Sequence, residues 1–163
     1  MEIIFDTDIL SMFAKIDEVY LLKRLFGDKA VITSKIRDEI SAPLEYGYTF
    51  PLKVLSTIKT VPLSKEAIEE YARFQWSLNL GKGELEAIAY CKMEKGTFAT
   101  NDGRAREFAK IEGIQVFSLQ AILKALWKKK LKSKSEVKQI LERIKKADNL
   151  AVSKEIEKGI FVD

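Results

Sequence analysis

Four acidic residues stand where chemistry could use them. Asp6 directly follows the strand-like run Glu2 to Phe5, and Glu39 lies inside the segment after a second run, Ala30 to Thr33. Glu84 follows the Gly-Lys-Gly stretch 81–83, and Asp102 closes a third run, Thr97 to Thr100. Carboxylates a few ångström apart raise one another's pKa or take a cation between them. An all-oxygen donor set suits a hard divalent ion, and Mg²⁺ or Mn²⁺ held by a few carboxylates can orient and activate a water for attack on a phosphodiester. The chain has no His and a single Cys, Cys91. A Ser-His-Asp triad, a Cys-His pair and a His-bearing zinc site therefore cannot be built, which leaves carboxylate–metal chemistry.

These acids can meet only if regular elements carry them to one place. Strands alternate with helices along the chain, a pattern that gives a parallel sheet with helices on both faces, in which the carboxyl ends of the strands line a common crevice. The expected fold is thus three-layer α/β/α with a central parallel sheet of about four to five strands. The first strand, Glu2 to Phe5, leads into a helical hairpin, Ile9 to Ile16 and Glu18 to Phe26. Ser34 is placed to cap the helix carrying Glu39, and 44–51 reads as an irregular loop. The periodic residues Leu85, Ile88, Ala89 and Met93 make a helix with Glu84 in its first turn, ended by Gly96. Asn101 and Asp102 leave the next strand as a helix, Gly103 to Glu112, begins. A helix over 65–78 is expected to bury Ile68, Tyr71, Ala72 and Trp76. Gln115 to Phe117 forms a last strand, and Ser118 caps a helix with Ala121, Ile122, Ala125 and Leu126 inward.

At 163 residues, 47% hydrophobic and 32% charged, the chain reads as one soluble globular domain over 1–163. Its end, 133–163, forms a C-terminal helical extension opened by the capping box Ser133-x-x-Glu136, with Val137, Ile140, Leu141 and Ile144 on one face. A lone Cys cannot form an intrachain disulfide, so a reducing cytoplasm is expected. The chain opens directly on a strand and has no apolar run of spanning length, so neither export nor a membrane partner is expected. Net charge +4 and a pI near 9.0 give modest support for a polyanionic partner. Lys128, Lys129 and Lys130 follow Trp127 and either neutralise phosphates or form a solvated face. Tyr46, Tyr48 and Phe50 either stack bases or pack their own loop.

The ordered set Asp6-Thr7-x-x-Leu10 after the first strand, Glu39 in the next helical region, Glu84 ahead of an Ala-rich helix, and Thr100-x-Asp102 resembles the PIN-domain ribonucleases, the group that includes the VapC toxins. Asp102 lies eighteen residues beyond Glu84, a spacing familiar from that family, although the third acid there is commonly Asp. The resemblance spans roughly Met1 to Ala125 and leaves the tail outside it. It implies a Mg²⁺- or Mn²⁺-dependent endoribonuclease acting on single-stranded RNA, with Asp6 and Asp102 as principal metal ligands and Glu39 and Glu84 holding the metal or its waters. Thr7, Asn101 and Ser118 would assist through hydrogen bonds. It also implies a homodimer, and either a toxin blocked by a small antitoxin protein or an RNA-processing factor. Leu10, Met12, Phe13, Leu22 and Leu25 could serve such contacts or be core.

Other readings stand beside this one. Asp6 and Asp102 could simply cap helices, and Glu84 could favour a helix N-terminus through its dipole. Asp6-Thr7-Asp8 resembles the Asp-x-Asp nucleophile motif of haloacid-dehalogenase-like phosphatases, though Leu10 and the missing late acidic pair depart from it. A PIN-like module that binds RNA or protein without cutting is the non-enzymatic alternative.

Overall fold

The computed structural model describes residues 1–76 and 79–163. Ile3–Phe5 (β1), Ala30–Ile32 (β2), Lys59–Thr60 (β3), Thr97–Ala99 (β4) and Val116–Phe117 (β5) form one all-parallel sheet in the order β3-β2-β1-β4-β5. β1, β2 and β4 are buried at every position, which explains why β1 and β2 are uninterrupted apolar runs and why β4, apart from Thr97, is apolar too: a parallel sheet is covered on both faces. Among the described residues ten α-helices flank it, so the architecture is the expected three-layer α/β/α, with five strands.

The order of the strands fixes where a site can form. From β1 the chain steps outward through β2 to β3, then returns across the sheet to β4 and continues outward to β5. The direction of winding therefore reverses between β1 and β4, and in such sheets the crevice beyond the carboxyl ends opens at that reversal. Asp6 and Asp102 are the acids that follow these two strands.

Helices α1 (Thr7–Lys15) and α2 (Tyr20–Phe26) follow β1, and α3 (Ser34–Ser41) follows β2. α1 buries Leu10, Met12 and Phe13, and α2 buries Leu22 and Leu25, so the apolar residues considered for partner contacts are core. A helix not anticipated from the sequence, α4 (Pro51–Thr57), begins on Pro51; proline suits a first helical turn because its missing N–H would be unpaired there anyway.

α5 (Lys65–Phe74) overturns one expectation. It buries Ala67, Glu70 and Phe74, leaving Ile68 55% and Trp76 87% exposed. The buried stripe is offset by one residue from the expected one, a turn of about 100° about the helix axis. Two contacts set that rotation: Lys92 donates to Glu70 at 2.7 Å, and Phe74 meets Phe108 edge-on with centroids 5.1 Å apart. The expected continuation of this helix through Ser77 and Leu78 lies outside the described residues.

α6 (Lys82–Glu94) runs back to β4 and packs against both α3 and α5. Lys95, not Gly96, takes the left-handed conformation at its end, with φ 58°. Gly96 is needed for room instead, since a Cβ there would come 3.2 Å from the Glu2 carbonyl oxygen. α7 (Gly103–Ile111) follows β4, and α8 (Leu119–Lys128) follows β5. α8 turns Leu119, Ile122, Leu123 and Leu126 inward, while Ala121 is exposed and Ala125 half-buried, so the larger residues win the core.

α9 (Lys134–Asp148) buries Val137, Ile140, Leu141 and Ile144 and packs on α1 and α8. α10 (Lys154–Ile160) closes onto α8, where the Trp127 indole N–H donates to the Ile160 carbonyl at 2.7 Å.

The Glu70–Lys92 pair should behave as a coupled unit. Lys92→Ala leaves a buried carboxylate with only the flanking Arg73 (2.9 Å) and should cost about 2 kcal/mol in urea unfolding, while Lys92→Ala combined with Glu70→Ala should recover part of that loss. Strictly additive losses in the double mutant would contradict this account.

Candidate functional site at the carboxyl edge of β1 and β4

Asp6 is 4% exposed and sits at the N-terminus of α1, where its Oδ1 accepts the Thr7 N–H at 2.7 Å. Its Oδ2 accepts the hydroxyl of the fully buried Thr100 at 2.7 Å, and the same hydroxyl oxygen accepts the Asp102 N–H at 3.1 Å. One threonine thus ties the acid after β1 to the backbone of the acid after β4. Thr100 was legible only as part of the Thr-x-Asp pattern, and its orienting contact becomes visible in three dimensions. Asp102 caps α7 by accepting the Ala105 N–H at 2.9 Å, so the capping and functional readings coexist.

Glu39 arrives from α3 and is held from two sides. Thr7 donates its hydroxyl to Oε2 at 2.7 Å, and the Gly83 N–H donates to Oε1 at 3.1 Å. The second contact requires glycine, because a Cβ on residue 83 would lie 2.5 Å from Oε1 and 2.7 Å from Cδ, well inside van der Waals contact. The two glycines of the Gly-Lys-Gly-Glu stretch therefore have distinct tasks. Gly81 supplies the N–H that Glu84 Oε1 accepts at 3.1 Å, and Gly83 lets the Glu39 carboxylate lie against the backbone of α6.

Glu86 is a residue the sequence reading passed over. It is 4% exposed, and its Oε1 accepts the Lys35 N–H at 2.8 Å, with the Ser34 hydroxyl donating at 3.4 Å. Contrary to the expectation from the sequence, Ser34 does not cap α3; the N-cap position is Thr33, whose hydroxyl has no partner. A carboxylate from α6 completes the start of α3 instead, satisfying an orphan N–H and complementing the helix dipole. The same helix that carries Glu84 thereby pins the helix that carries Glu39. The available signal was an acid interrupting the apolar run 85–91.

Crowding shows in the acidities. Burial, reinforced by the nearby charges of Glu84 and Asp8, pushes Asp6 up to about 7 against the lowering effect of the Thr100 and Thr7 hydrogen bonds. Burial also raises Glu84, with Asp102, Asp8 and Glu39 adding to it and the Gly81 N–H opposing. Asp8, at the rim, is raised by partial burial and by Asp148, Asp102 and Glu39. Asp6, Glu39, Glu84 and Asp102 thus share one electrostatic neighbourhood. Among the described residues, no three acidic, His or Cys side chains stand close enough to hold a metal ion as they are placed, because each carboxylate is turned to its own N–H or hydroxyl. The donor chemistry nevertheless fits a hard cation: all donors are oxygen, burial and then neighbouring acids raise the pKa values of Asp6 and Glu84, and Glu84 Oε2 is buried with no hydrogen-bond partner.

The remaining expected residues divide. Thr7 is in the centre. Ser118, which caps α8 by accepting the Ala121 N–H at 3.2 Å, follows the β5 residue paired with Ala99. Asn101 precedes Asp102, and its carbonyl accepts from Arg106 at 3.5 Å. Lys128, Lys129 and Lys130 are not brought to the acids. They follow the far end of α8, a rise of about 15 Å from Ser118, and Lys128 lies 5.9 Å from the Trp127 ring centroid.

A family model described as a PIN domain matches residues 2–161. No curated protein matches the chain.

Two outcomes follow from this geometry. Gly83→Ala should force Glu39 aside and cut the stabilisation by Mn²⁺ in thermal melts as severely as Glu39→Ala, with a metal-free melting temperature near wild type; a full Mn²⁺ response in Gly83→Ala would show that the close approach is incidental. Asp6 has a folded-state pKa above its unfolded value of 3.8, so the stability it confers is complete below that value and is lost as pH rises through about 7. In metal-free buffer the stability of wild type relative to Asp6→Asn should therefore fall across that window, by on the order of 1.4 kcal/mol per unit of displacement. A pH-independent difference would mean that Asp6 is ionised throughout.

Proposed function

The chain belongs to the PIN-domain family, a nuclease-type fold, and from that premise we propose that it is a Mg²⁺- or Mn²⁺-dependent endoribonuclease that hydrolyses single-stranded RNA. The observation that supports this reading is that Asp6 and Asp102 follow the two strands between which the winding of the sheet reverses, while Glu84, whose acidity Asp102 and Glu39 weaken, leaves a buried Oε2 without a partner. Asp6 and Asp102 would be the principal metal ligands, and Glu39 and Glu84 would hold the metal or its waters. A divalent cation held there would supply activation of the attacking water and stabilisation of charge on the phosphorane.

The chain's own groups do the rest. Thr100 fixes the rotamer of Asp6 and, through the Asp102 N–H, the spacing between the two aspartates. Thr7 and Gly83 hold Glu39 against α6. Glu84, its acidity weakened by burial and by its acidic neighbours, would accept at its unpartnered Oε2 a hydrogen bond from a metal-bound water. The Ser118 hydroxyl oxygen is occupied by the Ala121 N–H, so its own O–H is free to donate toward the substrate, and Asn101 lines the same edge.

RNA is the partner in this reading, in either of two settings: RNA processing, or the toxin of a toxin–antitoxin pair, paired as a homodimer and blocked by a small antitoxin over the acidic cleft. Exposed Ile68 and Trp76 supply apolar surface outside the core for such contacts. A buried Cys91 suits a cytoplasmic protein, and among the described residues no helix is long and apolar enough to cross a membrane.

Asp6→Asn should lower cleavage of a single-stranded RNA by more than about 100-fold while preserving the fold. In parallel, Mn²⁺ should raise the melting temperature of the wild type by mass action, and Asp102→Ala should remove most of that rise. Undiminished cleavage by Asp6→Asn would sink the assignment. A metal-independent melt with no cleavage would favour an inert binding module, and a phosphoaspartate trapped on Asp6 would favour a phosphatase.

A further inference from the structure

Beside the acidic centre lies a cleft of about 470 Å³ between α7, the outer strand β5, the start of α8 and α10. Arg106 and Lys110 of α7 form one wall; Val116, Ala121 and Ile156 form an apolar floor and opposite side. Ser118 and Gln120 supply polar groups, and among the described residues no acidic one lines the cleft. Among the described residues neither Arg106 nor Lys110 has a carboxylate within 4.0 Å. The only polar contact of the Arg106 side chain among them is a long one, 3.5 Å, to the Asn101 carbonyl.

The cleft is continuous with the acids through two elements. Asp102 caps α7, so Arg106 and Lys110, at four and eight residues beyond it, stand on the same helical face, about 6 and 12 Å along the axis. On the other side, the pairing of Ala99 with Phe117 sets Ser118 beside Thr100, and the Thr100 N–H donates to the Phe117 carbonyl at 2.9 Å. A strand whose scissile phosphate sits at the acids would thus enter a cleft of the opposite charge.

We propose that this cleft is the subsite for an RNA nucleotide adjoining the cleaved bond, with its phosphate on Arg106 and Lys110 and its base or ribose over Val116, Ala121 and Ile156. The proposal rests on the nuclease reading for the position of the scissile bond. The chemistry favours a nucleotide over an apolar peptide: unpaired guanidinium and ammonium groups match a phosphate, a volume of this size suits a small-molecule-sized unit, and sequence-tolerant binding of single strands combines cationic tracking with stacking surface. Residues of the C-terminal extension acquire a task as well, because Ile156 of α10, 45% exposed, completes the cleft. The Lys128–Lys130 cluster does not compete for this role. It lies at the other end of α8, and its neighbours Lys132 and Lys134 are engaged with Glu136 at 3.5 Å and the Trp127 ring at 4.4 Å.

The test is binding of a fluorescein-labelled single-stranded RNA of about a dozen nucleotides, read by anisotropy in EDTA so that no cleavage occurs. Arg106→Glu with Lys110→Glu should weaken binding at least about tenfold and flatten the slope of log K against log salt by about 0.7, the loss of one phosphate contact on a single strand. Lys128→Glu, Lys129→Glu and Lys130→Glu together reverse more charge and should weaken it less than about threefold. Arg106→Gln with Lys110→Gln, which removes charge without repulsion, guards against misfolding of the first variant and should show the same loss of slope. Wild-type affinity in both cleft variants, or an equal loss in the lysine-cluster variant, would overturn the proposal. Cleft-dependent binding without cleavage on adding Mn²⁺ would refute the nuclease reading and uphold the cleft only as an RNA-binding site, whereas Mn²⁺-dependent cleavage with cleft-independent binding would uphold the nuclease and refute the cleft.

Discussion

The structure turns on a carboxyl group placed at the end of its central strand and almost completely withdrawn from water. Asp6 has two donors, the Thr7 N–H and the Thr100 hydroxyl, and these do not offset the cost of burying its charge, so its pKa rises to about 7. Other acids converge on the same place and deepen the deficit of positive charge. A fold that stabilised only itself would place a neutral or apolar residue there. In the proposed nuclease a divalent cation would offset that deficit.

The positions of the other acids follow from the sheet and from one close contact. Reversal of winding between β1 and β4 places the residues after those strands side by side. Glu39 comes from an element beyond β2, and it reaches the centre because α3 lies directly on the first turn of α6. Gly83 permits that approach, and Glu86 secures it by completing the N-terminus of α3. Two residues of α6 thus position an acid of α3 without being acids of the centre themselves. This is how a site assembled from four separated segments gains rigidity: its supports belong to packed helices, not to loops.

Charge is distributed unevenly around this centre. The acids occupy the carboxyl edge, Arg106 and Lys110, which have no carboxylate partner among the described residues, line the adjoining cleft, and several lysines of the tail are consumed by Glu136, Glu142, Glu157 and the Trp127 ring. A net charge of +4 says little about where a polyanion would lie. Which cations remain unpaired, and on which side of the acids, says more.

The amino-acid sequence by itself determined the layered α/β plan, since its apolar runs and helical periodicities alternate regularly, and it marked Asp6, Glu84 and Asp102 because acids at strand ends and helix starts are local features. It also determined the face of α9, where Val137, Ile140, Leu141 and Ile144 are buried together. It misplaced the face of α5, because Ile68 and Trp76 are apolar at helical spacing while Glu70 is charged, and only Lys92 and Phe108, distant in the chain, make the charged face the inner one. Tertiary structure alone decided that Gly83 must lack a side chain, that Glu86 caps a helix other than its own, that Thr100 bridges two acids, and that Arg106 and Lys110, not the run Lys128–Lys130, adjoin the acidic centre. Periodicity and capping are written within a turn or two of chain, where neighbouring residues dictate the outcome. A hydrogen bond or steric limit between residues 39 and 83, or 35 and 86, exists only after the sheet has closed the distance between them.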